Sequence, residues 1–360
     1  MHDIKKVVFF TYNFPPRNDK RITQFLENGY DVVVYTFADK PQPKNYSIIK
    51  LGDYPDSVSY LKRLYYFTRD IKREIEKFDK STTLFYFFTL NTAIAALWCK
   101  NIHYVYEESD MLFDRLRSNA MRSFVKKVNL KIIRKSSVTV FTSQGFADYY
   151  YGRNVPSNIV IIPNKVDERL LSLPKVEKEK TDLNHLRFAF VGNVRYIQLY
   201  NMAKVVSEKF KNHEFHFYGT TYPSMVNTME NMKGRENVFF HGAFKNPDDL
   251  PEIYSKIDFV VATYDTTMLN PQYAEPNKIY EAIFFRTPII VSNNSYLANK
   301  VNSLKVGFDV DAMDENMIID KISSINEVSY NQYVNALQSI SQKDAVSDAS
   351  GLFDMLNKMS

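Results

Sequence analysis

Lys278 and Glu281, within Glu275-Pro276-Asn277-Lys278-Ile279-Tyr280-Glu281, set a cation and a carboxylate one helical turn apart at the start of an apolar segment. Proline costs little at a first helical turn, whose N–H has no intrahelical partner. The spacing therefore predicts a helix that begins around Pro276. The free N–H groups of such an end favour an anion, and Lys278 adds a full positive charge. Glu281 can accept hydrogen bonds from two neighbouring hydroxyls. Phosphate at the helix mouth with a diol beside it describes a nucleoside diphosphate. The competing reading is an ordinary capped helix with surface charges.

Other stretches add to this. Phe190-Val191-Gly192-Asn193-Val194-Arg195 reads as a strand ending in a glycine turn with an arginine just beyond. A departing diphosphate needs cations and backbone N–H groups to meet its developing charge. Arg195 suits that role through two parallel hydrogen bonds and Lys278 as a point charge. Gly192, Asn193 and Gly219 would admit the donor to the backbone, with Tyr264 and Phe244 near it. In the first half, Tyr106-Glu107-Glu108-Ser109-Asp110 follows a strand, and Asp110 and Glu107 are candidates to hydrogen-bond or deprotonate an acceptor hydroxyl. The alternative is a carboxylate cluster lining a solvated turn. Asn13, Arg17 and Arg21, around the first loop, are candidates to meet acceptor or phosphate. Asp309-Val310-Asp311 has a spacing seen at metal sites but falls at a late strand end, where coincidence is the better reading. The six histidines are scattered without ligand-pair spacing, and His241 reads as packing beside Gly242. No metal and no cofactor are expected.

Alternating strands and helices must position these groups. Val7–Thr11, Asp31–Phe37, Leu84–Phe88, His103–Tyr106, Ser137–Phe141 and Asn158–Ile162 read as strands, with helices over Lys20–Asn28, Ser57–Phe78 and Arg115–Arg134. Short apolar strands separated by helices imply a parallel sheet covered on both faces. The apolar pattern stops around Leu171–Asn184, then resumes with strands at Arg187–Val191, Glu214–Tyr218, Val238–Phe240, Phe259–Thr263, Pro288–Val291 and Gly307–Val310. Two such sheets facing each other place ligand loops, at the carboxyl ends of their strands, across a cleft. The expected division is a first domain over 1–170, a linker over 171–184, a second domain over 185–343 and a C-terminal helix over 344–360. The last helix is expected from Ala345 to Met359.

In order and spacing these motifs, with Phe217-Tyr218-Gly219, Phe240-His241-Gly242, Tyr254-Ser255-Lys256-Ile257-Asp258, Asp19-Lys20-Arg21 and Ile161-Ile162-Pro163-Asn164-Lys165-Val166-Asp167, resemble the family 4 nucleotide-sugar glycosyltransferases over nearly the whole chain. The resemblance implies an α/β protein of the GT-B fold: two Rossmann-like parallel-sheet domains facing a cleft, with a C-terminal helix crossing back to the N-terminal domain. It implies transfer of a hexose-type sugar, with retention of configuration, onto a glycan or lipid-linked glycan for a bacterial surface polysaccharide. Glu281 matches the second glutamate of the family's E-x7-E motif, which implies binding of the ribose hydroxyls. Tyr273 stands where the first is expected, so Glu275, six positions before Glu281, is the remaining candidate to face the donor sugar. Ser109 stands where many relatives carry histidine. Both departures keep open a catalytically silent GT-B subunit. A nucleotide-sugar epimerase or hydrolase on the same plan is a further rival.

A chain of 360 residues suits two domains. The single Cys99 excludes an intrachain disulfide, and the charged start leads into a strand rather than a secretory segment. A cytoplasmic location is expected, peripheral to the inner face of the plasma membrane. Thr82–Cys99 carries no charge, but Thr89, Asn91 and Thr92 interrupt it, so it reads as a buried strand, a polar turn and a buried helix. Residues 1–180 hold 30 Lys and Arg against 20 Asp and Glu, whereas residues 181–360 hold 16 against 21. The basic excess concentrates in Arg115, Arg117, Arg122, Lys126, Lys127, Lys131, Arg134 and Lys135, interleaved with apolar residues. That pattern fits a helix lying on anionic lipid through Arg115–Lys135, or a domain helix with a basic outer face. No nucleic-acid-binding module is visible.

Overall fold

The computed structural model describes residues 4–39, 45–54, 57–116 and 118–358. The chain forms two compact units, residues 1–163 with 348–360, and residues 164–347. Each is built on its own sheet.

The first unit holds β1 (Lys6–Thr11), β2 (Asp31–Thr36), β3 (Ser47–Lys50), β4 (Thr83–Phe88), β5 (His103–Glu108), β6 (Val138–Phe141) and β7 (Ile159–Ile161). They pair in the order β3-β2-β1-β4-β5-β6-β7, all parallel. β3 has no counterpart among the strands expected from the sequence. Its four residues alternate between exposed and half-buried at the sheet edge, too short to register as a pattern. Alternate side chains divide the sheet into two faces. On one face Phe9 and Tyr86 meet Phe25 of helix Pro16–Glu27, Phe88 packs on Phe9 and Tyr86, and Phe25 meets Phe353 of helix Ser350–Asn357 at 5.0 Å between ring centroids. Burying each such ring contributes about 1.5–3 kcal/mol, which ties the chain's last helix to this unit. On the other face Phe10, Tyr35, Phe85 and Phe87 lie under helices Tyr60–Ile75 and Asn119–Lys135.

The second unit holds β8 (Arg187–Val191), β9 (Glu214–Tyr218), β10 (Val238–Gly242), β11 (Phe259–Ala262), β12 (Ile289–Ser292) and β13 (Gly307–Val310). Their order is β10-β9-β8-β11-β12-β13, again all parallel. Both sheets therefore reverse direction once, between β1 and β4 and between β8 and β11. Ligands of doubly wound sheets bind at that reversal, beyond the carboxyl ends of the strands.

Thr82–Cys99 forms β4, the short helix Thr89–Ala93 and a 3-10 turn Ile94–Trp98. Among the described residues no helix is long and apolar enough to cross a membrane. The polar stretch read as a linker is hydrogen-bonded to the second unit. Thr181 donates to Asp258 at 2.7 Å, Lys178 to Thr287 at 2.6 Å, and the Glu179 amide to the Ser255 carbonyl. These anchors are hydrogen bonds, which a hydrophobic pattern does not register. The terminal helix starts at Ser350, after a 3-10 turn Gln342–Ala345, rather than at Ala345, and Met359 lies outside the described residues. The basic helix starts at Asn119 with Ser118 as its N-cap, leaving Arg115 in a preceding 3-10 turn; Arg117 lies outside the described residues.

Candidate active site

The second unit collects its candidate residues around β8, β9 and the helix Lys278–Phe285. Pro276 precedes that helix rather than opening it: Asn277 is the N-cap and Lys278 the first helical residue. Asn277 does not cap with its side chain. Its Nδ2 donates to Glu281 Oε1 at 2.7 Å instead. Lys278 Nζ bridges both Glu281 oxygens at 2.8 and 2.7 Å, and the Tyr254 hydroxyl donates to Oε2 at 2.6 Å. Glu281 is 1% exposed, and these four bonds fill the acceptor sites of a carboxylate. Burial and the adjacent Glu281 push the Tyr254 hydroxyl well above its ordinary pKa, so it stays a donor.

Gly192 brings the Lys278 stem to this point. A Cβ built on Gly192, whose φ is 149°, would lie 3.9 Å from Lys278 Cε. Gly219, at φ 128°, packs on the Gly192 carbonyl so closely that a Cβ there would stand 2.0 Å from that oxygen. Only glycine fits. Asn193 Oδ1 accepts from the Thr220 hydroxyl at 2.7 Å. Arg195 is exposed, its guanidinium 5.2 Å above the Tyr222 ring. Tyr264 and Phe244 are half-buried against the same core; Tyr264 is edge-on to Tyr196, and its backbone is clamped by Ser292. Ile279 is fully buried. Thr263 Oγ1, just past β11, and Gln198 Oε1, in the first turn of helix Ile197–Lys209, are buried without a hydrogen-bond partner. Buried polar atoms are seldom left so.

Glu275 lies apart from this knot. It is 5% exposed and accepts from both the Tyr280 hydroxyl and Lys300 Nζ. Lys300 and Lys165 both stand over the Tyr280 ring.

In the first unit the structure joins three of the predicted residues. Arg21, 5% exposed, donates through Nε to Glu107 Oε2 at 3.1 Å, and Tyr86 donates to the same oxygen. Burial works against the Arg21 charge, but Glu107 and Tyr86 outweigh it and its pKa rises. Glu107 Oε1 is buried without a hydrogen-bond partner, with Arg17 Nε at 4.0 Å. Glu107 thus sits inside the unit, 1% exposed, rather than on a solvated turn. Arg17 also reaches Asn18 Oδ1 at 3.5 Å, and Asn18 Nδ2 donates to Thr11 Oγ1 at 2.7 Å and to the Asn13 carbonyl at 3.3 Å. Asn13 enters by its backbone. Asp110 is half-buried and receives Ser109 Oγ at 3.4 Å.

Sequence reasoning passed over Glu108. It is buried beside β6 and accepts from Asn129 at 2.9 Å and Tyr150 at 2.8 Å. Burial pushes its pKa up to about 7, against those two hydrogen bonds and with help from Asp110. Period-2 alternation could have found it, since Glu107 and Glu108 on one strand must face opposite sides of a sheet covered on both. Tyr86 and Tyr254 carried no signal, because an aromatic in an apolar strand or helix reads as packing. The histidines are less scattered than expected. His216 Nδ1 pairs with His241 Nε2 at 3.0 Å, and Glu214 holds the other His216 nitrogen at 2.9 Å. His241 stacks on Tyr218 rather than merely packing beside Gly242. Asp309 and Asp311 accept from Asn302 and the Met313 amide, and no group of three metal-ligating side chains occurs among the described residues.

Solved structures superimpose on nearly the whole chain. Sucrose-phosphate synthase from Thermosynechococcus elongatus matches with TM-score 0.72 at 14% identity, covering 99% of this chain and 100% of its own. Anabaena HepE in complex with UDP and glucose matches with TM-score 0.70 at 13% identity, covering 99% and 98%. The fold is GT-B. WaaG, a glycosyltransferase involved in lipopolysaccharide biosynthesis, matches this GT-B chain with TM-score 0.66 at 14% identity, covering 94% and 97%. Residues 173–327 match the family model for glycosyl transferases group 1, a span that contains every donor-side candidate named above. No curated protein matches the chain by sequence.

Proposed function

We propose that the protein is a glycosyltransferase that moves a hexose-type sugar from a nucleoside diphosphate to a glycan or lipid-linked glycan, with retention of configuration. Synthesis of a bacterial surface polysaccharide at the inner face of the plasma membrane is the setting this reading favours. The observation that carries it is the buried Lys278–Glu281 pair beside Gly192 and Gly219, within the glycosyltransferase-like span. HepE, which shares the fold, holds UDP and glucose.

The pair dictates how a donor would enter. All four acceptor positions of Glu281 are taken, two of them by Lys278. A ribose diol can bond Glu281 only if Lys278 lets go, and a diphosphate is the anion that would draw it away. Lys278, with Arg195, then stabilises the departing diphosphate, in a site whose backbone is laid open by Gly192, Asn193 and Gly219. Tyr264 walls it, Ile279 anchors the helix from the core, and Asn277 keeps Glu281 oriented. For the acceptor, Glu107 Oε1 supplies an unengaged buried acceptor oxygen beside Arg17. Arg21 holds Glu107 in place, Asn13 shapes the loop, and Asp110 is the alternative carboxylate. Glu275, held by Lys300, is the carboxylate nearest in sequence to act on the donor sugar. No metal or cofactor enters this scheme.

A thermal-shift screen of UDP, GDP, dTDP and ADP, followed by diphosphate release from the matching nucleotide sugars, tests the reading. A ligand at a hundredfold excess over its Kd stabilises by about 2.7 kcal/mol. One diphosphate is expected to shift the protein, and release is expected to need an acceptor. Binding without release under any acceptor would replace a transferase with a silent binding subunit. Release with no acceptor would point to a hydrolase.

A further inference from the structure

Three of the chain's six histidines join through one carboxylate at the β10 edge of the second unit's sheet. Glu214 Oε1 lies 3.3 Å from His185 Nε2, Glu214 Oε2 2.9 Å from His216 Nε2, and His216 Nδ1 3.0 Å from His241 Nε2. The His216 and His241 rings stand 5.3 Å apart between centroids, with their planes at 13°. That separation is little more than the N···N distance plus the two ring radii. The facing nitrogens therefore meet nearly in line, the geometry of an N–H···N hydrogen bond. The tautomers follow. An ionised carboxylate only accepts, so His216 Nε2 carries the proton that Glu214 receives. Neutral His216 then offers Nδ1 as an acceptor, and His241 Nε2 donates to it.

This bond sits beside the two glycines of the candidate donor site. β9 and β10 pair in register from Phe215 and Val238 to Phe217 and Phe240, then slip, so that Gly242 rather than His241 faces Tyr218. His241 is thus the extra residue of a bulge, a device that re-aims a side chain. Its ring lies on Tyr218 at 4.1 Å, and the Gly242 carbonyl accepts from Gly219 N at 2.6 Å. Gly219 packs on the Gly192 carbonyl, and Gly192 N donates to the Tyr218 carbonyl at 2.7 Å. β10 is an edge strand, paired on one side only. Its end past the bulge depends on the Gly242 bond and on the contacts of His241.

We propose that the His216–His241 pair is a proton-sensitive latch. Closed, it holds β10 against the Gly219–Gly192 junction and sustains diphosphate binding there; doubly protonated, it opens and binding weakens. The latch rests on the reading of that junction as part of the donor site. One added proton, taken at His241 Nδ1, still leaves a hydrogen between the facing nitrogens. A second places hydrogens on both, and they repel. Glu214 of β9 and Asp258, just before β11, favour the added charge, with His185 sharing Glu214. Arg187 of β8 opposes it at His216, and Lys256, paired with Glu252, opposes it at His241. Lys256, Arg187, Glu179 and Glu252 also face Tyr218. Burial outweighs Glu214 and lowers the His216 pKa; burial, His216 and Lys256 lower that of His241. Protons therefore bind the open state better. The latch is fully closed above the ordinary value of 6.5 and is lost as pH falls below it.

UDP, GDP, dTDP and ADP are titrated calorimetrically into the full-length protein at about pH 7.5, and the one that binds is followed down to about pH 5.5, across the ordinary histidine range. His241→Gln, at an exposed position, keeps an amide N–H for His216 but does not titrate. The nucleotide's own phosphate titrates alike with both proteins, so the difference in slope isolates the pair. Between those limits the wild type is expected to lose about threefold or more affinity beyond the loss in His241→Gln, the worth of one hydrogen bond. His241→Ala should bind more weakly at the higher pH and show the shallow slope of His241→Gln. Nitrogen-15 NMR of the imidazoles should find His216 protonated on Nε2 alone at the higher pH. Far-ultraviolet circular dichroism confirms that each variant is folded. Equal slopes in wild type and His241→Gln, or His216 protonated on Nδ1, overturn the latch and leave the donor site standing. No binding of any diphosphate to the wild type overturns the donor-site reading and the latch with it.

Discussion

Removing Lys278 strands a carboxylate. In the native protein Glu281 is 1% exposed, and Lys278 Nζ lies 2.8 and 2.7 Å from its two oxygens with only 6% of its own side chain exposed. Lys278→Met keeps most of the stem's packing but leaves the charge held by Tyr254 and Asn277 alone. Breaking a buried pair by removing one partner costs about 3–5 kcal/mol. Two neutral donors remain, so the lower end, about 3 kcal/mol, is expected. For a domain of this size each kcal/mol lowers the melting temperature by about 2–4 °C, which predicts a fall of roughly 6–12 °C. Glu281→Gln alone instead buries the Lys278 ammonium without its counter-charge and should cost a similar amount. The two changes together remove both charges while Tyr254 and Asn277 can still bond the amide, so the double variant should recover about 2 kcal/mol or more relative to the sum. Urea unfolding of the four proteins gives this coupling energy directly. Coupling below about 0.5 kcal/mol, the scatter between independent sites, would refute the buried pair and the exchange of Lys278 from Glu281 to phosphate.

Four further outcomes are expected. Glu108 holds its proton up to a folded pKa of about 7 against an ordinary 4.5; the unfolded chain releases it first, so this stabilisation is complete below pH 4.5 and is lost as pH rises through about 7. Comparing urea midpoints across that window, Glu108→Gln should abolish a loss of about 3 kcal/mol seen in the wild type. Gly219→Ala forces a methyl group into the Gly192 carbonyl at a φ that side chains avoid, and should cost about 3 kcal/mol or more with loss of diphosphate binding by titration. Arg21→Ala leaves Glu107 buried without its main counter-charge and should cost about 3–5 kcal/mol in chemical unfolding. Arg17→Ala, acting on a group 20% exposed and 4.0 Å from Glu107, should cost under about 1 kcal/mol while weakening use of the acceptor in the transfer assay.

The order of strands was legible because each is a short apolar run with a turn signal behind it. Arg187–Val191, Glu214–Tyr218 and Gly307–Val310 have the bounds read from the sequence. β3 was not legible, since four alternating residues at an edge carry no hydrophobic weight. At the candidate site, Lys278, Glu281 and Gly192 were legible as residue types at a helix mouth and a strand end. Their company was not. Tyr254 reaches Glu281 from another helix, and Lys300 reaches Glu275 across 25 residues, pairings that only tertiary packing creates. Glu107 and Asp110 looked equivalent in sequence, yet strand pairing buries the first beside Arg21 and leaves the second at the rim.

The central claim is that Lys278 and Glu281 hold a nucleoside diphosphate. Isothermal titration of UDP, GDP, dTDP and ADP into the wild type and into Lys278→Met tests it most directly. The account predicts that one of the four binds the wild type and binds the variant at least about tenfold more weakly, the loss of one charge-assisted contact. Equal affinity for both proteins, or no binding of any diphosphate to the wild type, would contradict it.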